Sequence, residues 1–340
     1  MSLSKYIIKR IVIAIPIFLA VIIMTWFIAR AFPGNPFLFN VNKPSNYQME
    51  IYYEAVELHG LNEPILIQFL MFMKNLFSGD WGTSWYIAQQ VDVKLLVKKS
   101  FPISLELFLI SGFFSYFLGK HIGISSATGK NKIFSKSLGI LTSAGSAIPI
   151  FVLGLILINI FSVQSGIKIT GIKTFDFPDP PWITGMRLTD CLISGEFELL
   201  WDSAKHYILP ITLLCFQFST LIARQVRSTM MDTMNQDYIR TARAKGCNEK
   251  TVIYKHAFKN GRIPILSVAL SNFPNMFINL MLVEYVFEFP GFTYLLLFSI
   301  IFIDYNVLVI SISIVEMCVV SLNLVGDISY AILDPRIRYD

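Results

Sequence analysis

The chain has 340 residues, of which 54% are hydrophobic and only 15% charged, with a mean hydropathy of +0.58. Such a composition excludes an ordinary soluble domain, whose surface needs more charge than this chain carries. The formal net charge of +5 follows the way basic residues distribute about a bilayer and gives no ground for nucleic-acid binding.

A helix needs about 20 mainly apolar residues to cross a hydrocarbon layer about 30 Å thick. Runs of that kind predict an all-α integral membrane protein, a single transmembrane domain over 1–340 with spans near 8–29, 101–121, 138–163, 207–223, 263–283 and 305–326. Lys5, Lys9 and Arg10 precede the first run, and Ala29-Arg30-Ala31 after it formally fits a small-x-small cleavage site. The run is longer than the apolar region of a signal peptide, so it is expected to stay as an anchor.

An external segment is predicted at 29–100, with helices over 51–58 and 63–77 that close near Gly60 and Gly79. Glu106 lies six residues into the second span, close to its interface. The inner loop that follows includes GISSATGKN at 123–131, which has one residue too many between its glycines, and Asn131 where Ser or Thr is required. It is therefore no Walker A loop, and any ATP binding has to lie in another chain. A second external loop is predicted at 164–206, where Pro178-Asp179-Pro180-Pro181-Trp182 cannot be helical.

The segment 224–262 is predicted to be cytoplasmic and carries nine basic and three acidic residues. Asp237 suits an N-cap, Tyr238 to Lys245 form a short helix about 12 Å long, and Gly246 supplies the left-handed closing residue. Asn248 suits the cap of a second helix to about Asn260, with Gly261 and Pro264 marking the return to the membrane. Ala242 and Ala244 keep the first helix narrow, while Arg240, Arg243 and Lys245 offer donors to a partner's carboxylates or carbonyls. An ordinary basic inner loop is the plainer alternative.

The run 289–303 is short for a span and opens on Pro290-Gly291, so a short external helix between the fifth and sixth spans is expected. Counting it as a span would put Arg336 and Arg338 outside, against the excess of Lys and Arg in inner segments. Both termini are therefore expected in the cytoplasm. Cys191, Cys215, Cys247 and Cys318 show no C-x-x-C spacing, so neither a zinc site nor a disulfide framework is expected. His59, His121, His206 and His256 form no H-E-x-x-H, and no G-x-S-x-G occurs, which leaves a membrane enzyme without a motif.

DYIRTARAKG at 237–246 resembles the cytoplasmic coupling motif of ABC importer permeases of the oligopeptide, dipeptide and nickel family. Further blocks occur in that family's order: FPGNPF at 32–37, GLNEPILIQF at 60–69, GDWGTS at 79–84, EYVFEFPGF at 284–292 and NLVGDISYAILDPRIR at 323–338. Arg240-Thr241-Ala242 stands where the broad pattern has Glu-Ala-Ala, and Glu288 and Thr293 stand where Ser and Gly are expected.

The resemblance implies a non-catalytic, multi-pass permease subunit in the cytoplasmic membrane of a prokaryote. Substrates would be di- or oligopeptides, with a nickel or metal chelate as the alternative. It also implies four kinds of partner: a second homologous permease, two cytoplasmic ABC ATPase subunits, an extracytoplasmic binding protein and membrane lipid. This chain would hold no cofactor, and ATP and Mg would be used by the ATPase subunits. Coupling to them would fall to Asp237, Tyr238, Arg240, Thr241, Ala242, Arg243, Ala244, Lys245 and Gly246.

A secondary transporter is the rival of another class, and it would favour ionisable groups within the membrane over a docking helix. Glu316, near the middle of its span, is a candidate either for contact with a cationic substrate group or for a pairing role between permeases. Asn272, Asn275 and Asn279 recur at helical spacing and suit either a polar path or bonds between helices.

Overall fold

The computed structural model describes residues 3–31, 53, 56–57, 60–88, 90–129, 132–145, 148–164, 166 and 169–333. The expected helix at 51–58 and the block at 32–37 lie wholly or mostly outside them, as does the part of the block at 323–338 that follows 333. Among the described residues the chain is helical apart from loops and one isolated bridge, Thr83 with Asp92.

The helices are α1 (Leu3–Ala31), α2 (Ile65–Ser78), α3 (Val93–Thr128), α4 (Lys132–Gly145), α5 (Ile150–Ile158, with a π turn over Asn159–Gln164), α6 (Arg187–Ser194), α7 (Phe197–Met234) and α8 (Asp237–Ala244). A three-residue turn Glu249–Thr251 and a π stretch Val252–Phe258 lead into α9 (Lys259–Val286), followed by α10 (Phe292–Ile301) and α11 (Tyr305–Leu333). Among the described residues four helices are long and apolar enough to cross a membrane: Ile7–Ala31, Val93–Thr128, Phe197–Met234 and Tyr305–Ser329. A bent pair, Glu249–Leu266 with Val268–Val286, makes a fifth if its two arms form one span.

Two expectations are corrected here. The run 138–163 is not one helix, because α4 stops at Gly145 and α5 starts at Ile150, after Pro149. Proline lacks the N–H that an unbroken helix would use and pushes the residue before it out of the helical region. Gly261 and Pro264 do not mark a boundary either, since α9 runs through both; the 41° bend falls between Leu266 and Val268.

The centre of the fold is the parallel contact of α3 with α7, in which Ser111 meets Cys215, Gly119 meets Ile222 and Gly123 meets Val226. Ser111, Ser115, Gly119 and Gly123 recur every fourth residue of α3 and are all buried, which lets the two backbones approach closely. A Cβ on Gly119 would sit 2.7 Å from Ile222 Cβ and 2.8 Å from the Ser219 carbonyl oxygen. One on Gly123 would sit 2.5 Å from Val226 Cβ and 2.7 Å from the Ala223 carbonyl.

Helices α1 and α11 pack along each other in opposite directions. Arg10 pairs with Asp327 at 3.2 Å at one end, and the Arg30 guanidinium lies 5.0 Å from the Tyr305 ring and 5.4 Å from the Trp26 ring at the other. The start of α1 and the end of α11 therefore share one side of the bundle.

Three buried carboxylates organise the opposite end. Glu106 accepts from the Thr189 N–H at 2.8 Å and the Leu188 N–H at 3.2 Å, so it closes the N-terminus of α6. Glu284 accepts from the Thr293 hydroxyl at 2.6 Å and the Tyr294 N–H at 2.8 Å, and from the Ser104 hydroxyl, closing α10. Asp304 accepts from Ser84 at 2.6 Å and from the Trp85 and Tyr86 N–H groups at 3.0 Å, pinning the loop after Trp81 to the start of α11. The donors offset part of the cost of burying a carboxylate, and a helix N-terminus is a favourable place for one.

The loop before α6 is ordered around Arg187, which donates to Asp179 at 2.6 Å, Ser203 at 2.7 Å and the Pro178 carbonyl at 3.1 Å. The Lys173 ammonium, hydrogen-bonded to Asp179 at 2.8 Å, holds that carboxyl below its usual range; burial opposes the shift and Arg187 adds to it. Pro178 to Trp182 are non-helical, as their prolines dictate.

Replacing Gly123 by Val should overpack the α3–α7 contact and destabilise the protein by about 1–3 kcal/mol or more. Gly326→Ala, whose Cβ would meet Leu270 at an ordinary 3.5 Å, should be nearly neutral. Thermal unfolding of the purified protein in detergent compares the two, and equal midpoints would contradict the contact.

Candidate functional site

Helix α8 forms a separate short element between α7 and the rod that leads into α9. Its N-cap is Gln236, in extended conformation and without a side-chain cap bond, so the expected capping role of Asp237 is corrected. Asp237 instead occupies the first turn, where its carboxylate favours the helix dipole and accepts from Arg240 at 3.3 Å.

The other end closes as expected. Gly246 adopts φ +80°, its N–H reaches the Arg243 carbonyl at 2.9 Å, and the Cys247 N–H reaches the Ala242 carbonyl at 3.2 Å. That pair of bonds is a Schellman closure, which needs a left-handed residue and so favours glycine. The Asn248 side chain then accepts from the Thr251 N–H at 2.8 Å and caps the next helix.

The two faces of α8 differ sharply. Ile239 and Ala242 are buried in a core shared with Ile124 of α3, Val226 and Met230 of α7, Val252 and Ala257 of the π stretch, and Ile265 of α9. Asp237, Tyr238, Arg240, Thr241, Arg243, Ala244, Lys245 and Gly246 are exposed. Ala242, expected on the narrow outer surface, is thus a packing residue, because position 242 is one turn from Ile239 on the inward face. Arg243 is exposed yet engaged, since its Nε and Nη2 donate to the two Glu249 carboxylate oxygens at 2.8 and 3.4 Å. A Cβ placed on Gly246 would meet nothing within 4 Å.

The path candidates lie elsewhere, on α9 and α11. Asn272 donates to the Val268 carbonyl and Asn279 to the Asn275 carbonyl, each at 2.8 Å and each within α9, while Asn275 is exposed. These bonds run back along their own helix and tie no second helix to it. Glu316 is partly buried on α11 and has no hydrogen bond or ion pair among the described residues. Among the described residues no group of three or more His, Cys, Asp or Glu is arranged to hold a metal ion.

Residues 119–339 match the family described as the binding-protein-dependent transport system inner membrane component, and residues 3–89 match the N-terminal region of such components. The chain belongs to this family. It is 34% identical over 338 residues to the dipeptide transport system permease protein of Alkalihalophilus pseudofirmus, covering 98% of this chain and 99% of that one. It is 33% identical over 338 residues to the oligopeptide transport system permease protein of Bacillus subtilis, covering 99% and 100%. A chain of the methionine ABC transporter MetNI, solved in inward-facing conformations, superposes with a TM-score of 0.54 at 15% identity, over 71% of this chain and 97% of that one. The last comparison shows a shared fold.

The permease is accordingly a multi-pass protein of the cytoplasmic membrane. Three features were not singled out in the sequence: the capping role of Glu284, the anchoring role of Asp304 and the pairing of Glu249 with Arg243. Only the last had a local signal, a Glu following a helix-capping Asn.

Opposite faces of α8 should respond differently to added bulk. Ala242→Leu should overpack the shared core and cost the isolated permease about 1–3 kcal/mol, while Ala244→Leu should leave its thermal midpoint unchanged. Detergent unfolding curves for the two variants check this.

Proposed function

We propose that this permease forms half of the membrane pathway of an ATP-driven importer of di- and oligopeptides, with α8 as its coupling helix. The observation that carries this reading is the geometry of α8: an eight-residue helix, anchored by two apolar side chains, closed by a left-handed glycine and turned outward with its polar face. Such a plug fits a groove on another protein. In this reading two cytoplasmic ATPase subunits use ATP and Mg and move α8 as they close, a second homologous permease completes the path, and an extracytoplasmic binding protein delivers substrate.

The topology that fits this assignment has six spans, with α4 and α5 together serving as the third, the bent α9 as the fifth and α10 as a short external helix. The concentration of Lys and Arg around α8, and the shared side of the start of α1 and the end of α11, support both termini in the cytoplasm. Peptide ranks ahead of a nickel chelate because the relatives of matching length are named as dipeptide and oligopeptide permeases. A secondary carrier has no use for α8.

The ATPase groove would meet Tyr238, Arg240, Thr241, Ala244, Lys245 and Gly246, with Asp237 at the entering end. Because a side chain on Gly246 meets nothing in this chain, bulk there acts on the partner alone. Gly246→Ala carries the backbone strain, about 1–2 kcal/mol for a left-handed residue, with little bulk. Gly246→Trp adds the bulk. In proteoliposomes holding the whole transporter, the Trp variant should hydrolyse ATP with little peptide uptake, and the Ala variant should retain much more; normal uptake by the Trp variant would sink the coupling assignment.

Glu316 is assigned to the path, facing the ammonium group of a passing peptide. Glu316→Gln should reduce uptake with assembly and ATP hydrolysis intact. Unchanged uptake removes the residue from the path.

A further inference from the structure

Between α8 and the rod that becomes α9 lies a short turn, Lys245-Gly246-Cys247. Its glycine is exposed, a side chain there would meet nothing within 4 Å, and glycine is the residue that most readily changes backbone conformation. A push on α8 would be absorbed in such a turn unless something spans it. The Arg243–Glu249 pair does so: Arg243 is in the last turn of α8, Glu249 is the first residue of the Asn248-capped helix, and both oxygens of the carboxylate are engaged. A two-point guanidinium–carboxylate contact fixes relative orientation as well as distance. Each charge also sits at the helix end that its sign favours.

We propose that Arg243 and Glu249 form a staple across the Gly246 turn, making α8 and the rod from Glu249 to the bend at Leu266 a single lever. The proposal rests on the assignment of α8 as the coupling helix. Two attachments on opposite sides define the lever. On the inner side, Ile239 and Ala242 share a core with Val252 and Ala257 of the rod. On the outer side, beyond the backbone bonds of the turn itself, the ion pair is the side-chain contact that crosses it among the described residues. With the inner contact alone, α8 can roll about its buried face; with both, rotation of α8 must carry the rod. The rod runs to a 41° bend between Leu266 and Val268, beyond which α9 bears Asn272, Asn275 and Asn279, so motion at α8 reaches the membrane arm through that bend.

Arg243 and Glu249 are therefore positioning residues, and Arg243 is not a donor to the ATPase. The side chains are 42% and 53% exposed, and a surface pair of this kind adds little to stability. Its loss should appear in coupling and leave folding intact.

The test uses the complete transporter in proteoliposomes, scoring molecules of radiolabelled dialanine taken up per ATP hydrolysed. Arg243→Glu and Glu249→Arg should each lower that ratio several-fold while complex assembly and the thermal midpoint stay as in the parent. The reversed pair, carrying both substitutions, should recover most of the ratio. A double variant as poor as Arg243→Glu alone would overturn the staple and return Arg243 to the ATPase surface, as would single variants that transport like the parent.

A milder cycle covers any reversal that fails to assemble. Arg243→Gln added to Glu249→Gln should worsen the ratio no further, and additive losses would again overturn the staple. If Gly246→Trp transports normally in the same assay, the assignment of α8 itself has failed, whatever the pair does.

Discussion

The structure depends first on the close approach of α3 and α7. In a bilayer there is little hydrophobic drive between helices, so association relies on dense packing and on backbones that come near each other. The stripe Ser111, Ser115, Gly119, Gly123 provides that approach, with Ile222 and Val226 occupying space that any larger residue would take. Because this contact runs nearly the length of both helices, it sets the relative height of what they carry at each end. One end of α3 presents Ile124 to the core beneath α8, and the other presents Glu106 to α6.

The two ends use different chemistry. At one end, Glu106, Glu284 and Asp304 each reach across the sequence to close a helix N-terminus or pin a loop, and all three are buried with multiple donors. Such ties are rigid, because breaking one strands buried polar groups without partners. At the other end α8 is attached by a small apolar core and one exposed ion pair. A stiff cap at one end and a lightly held, outward-facing helix at the other fit the coupling role proposed for α8.

Several elements were legible in sequence because their causes are local. The closures of α2 at Gly79 and of α8 at Gly246 were foreseen from glycine after a helical run, and both adopt φ near +80°. The Asn248 cap was legible for the same reason. Other readings failed where a local rule met a longer-range fact. Gly261 and Pro264 are breakers by propensity, yet α9 continues through them, with Gly261 buried and close to Thr229 of α7. Pro149 was passed over within an apolar run, although its backbone chemistry splits α4 from α5.

Composition, the length of apolar runs and the motif at 237–246 were sufficient to identify a helical membrane permease and to locate its candidate coupling helix, because hydropathy and helix capping act over a few residues at a time. Which face of α8 points outward was not available that way: Ala242 and Ala244 look alike in sequence, and only the positions of Ile124, Val226 and Val252 make one a packing residue and leave the other free. The same holds for Arg243, a free donor in sequence and a bound one in the fold, since its partner Glu249 is brought within 2.8 Å by the left-handed turn at Gly246. Tertiary structure decided these roles because burial and pairing depend on what stands across from a side chain, and the elements that stand there come from distant parts of the chain.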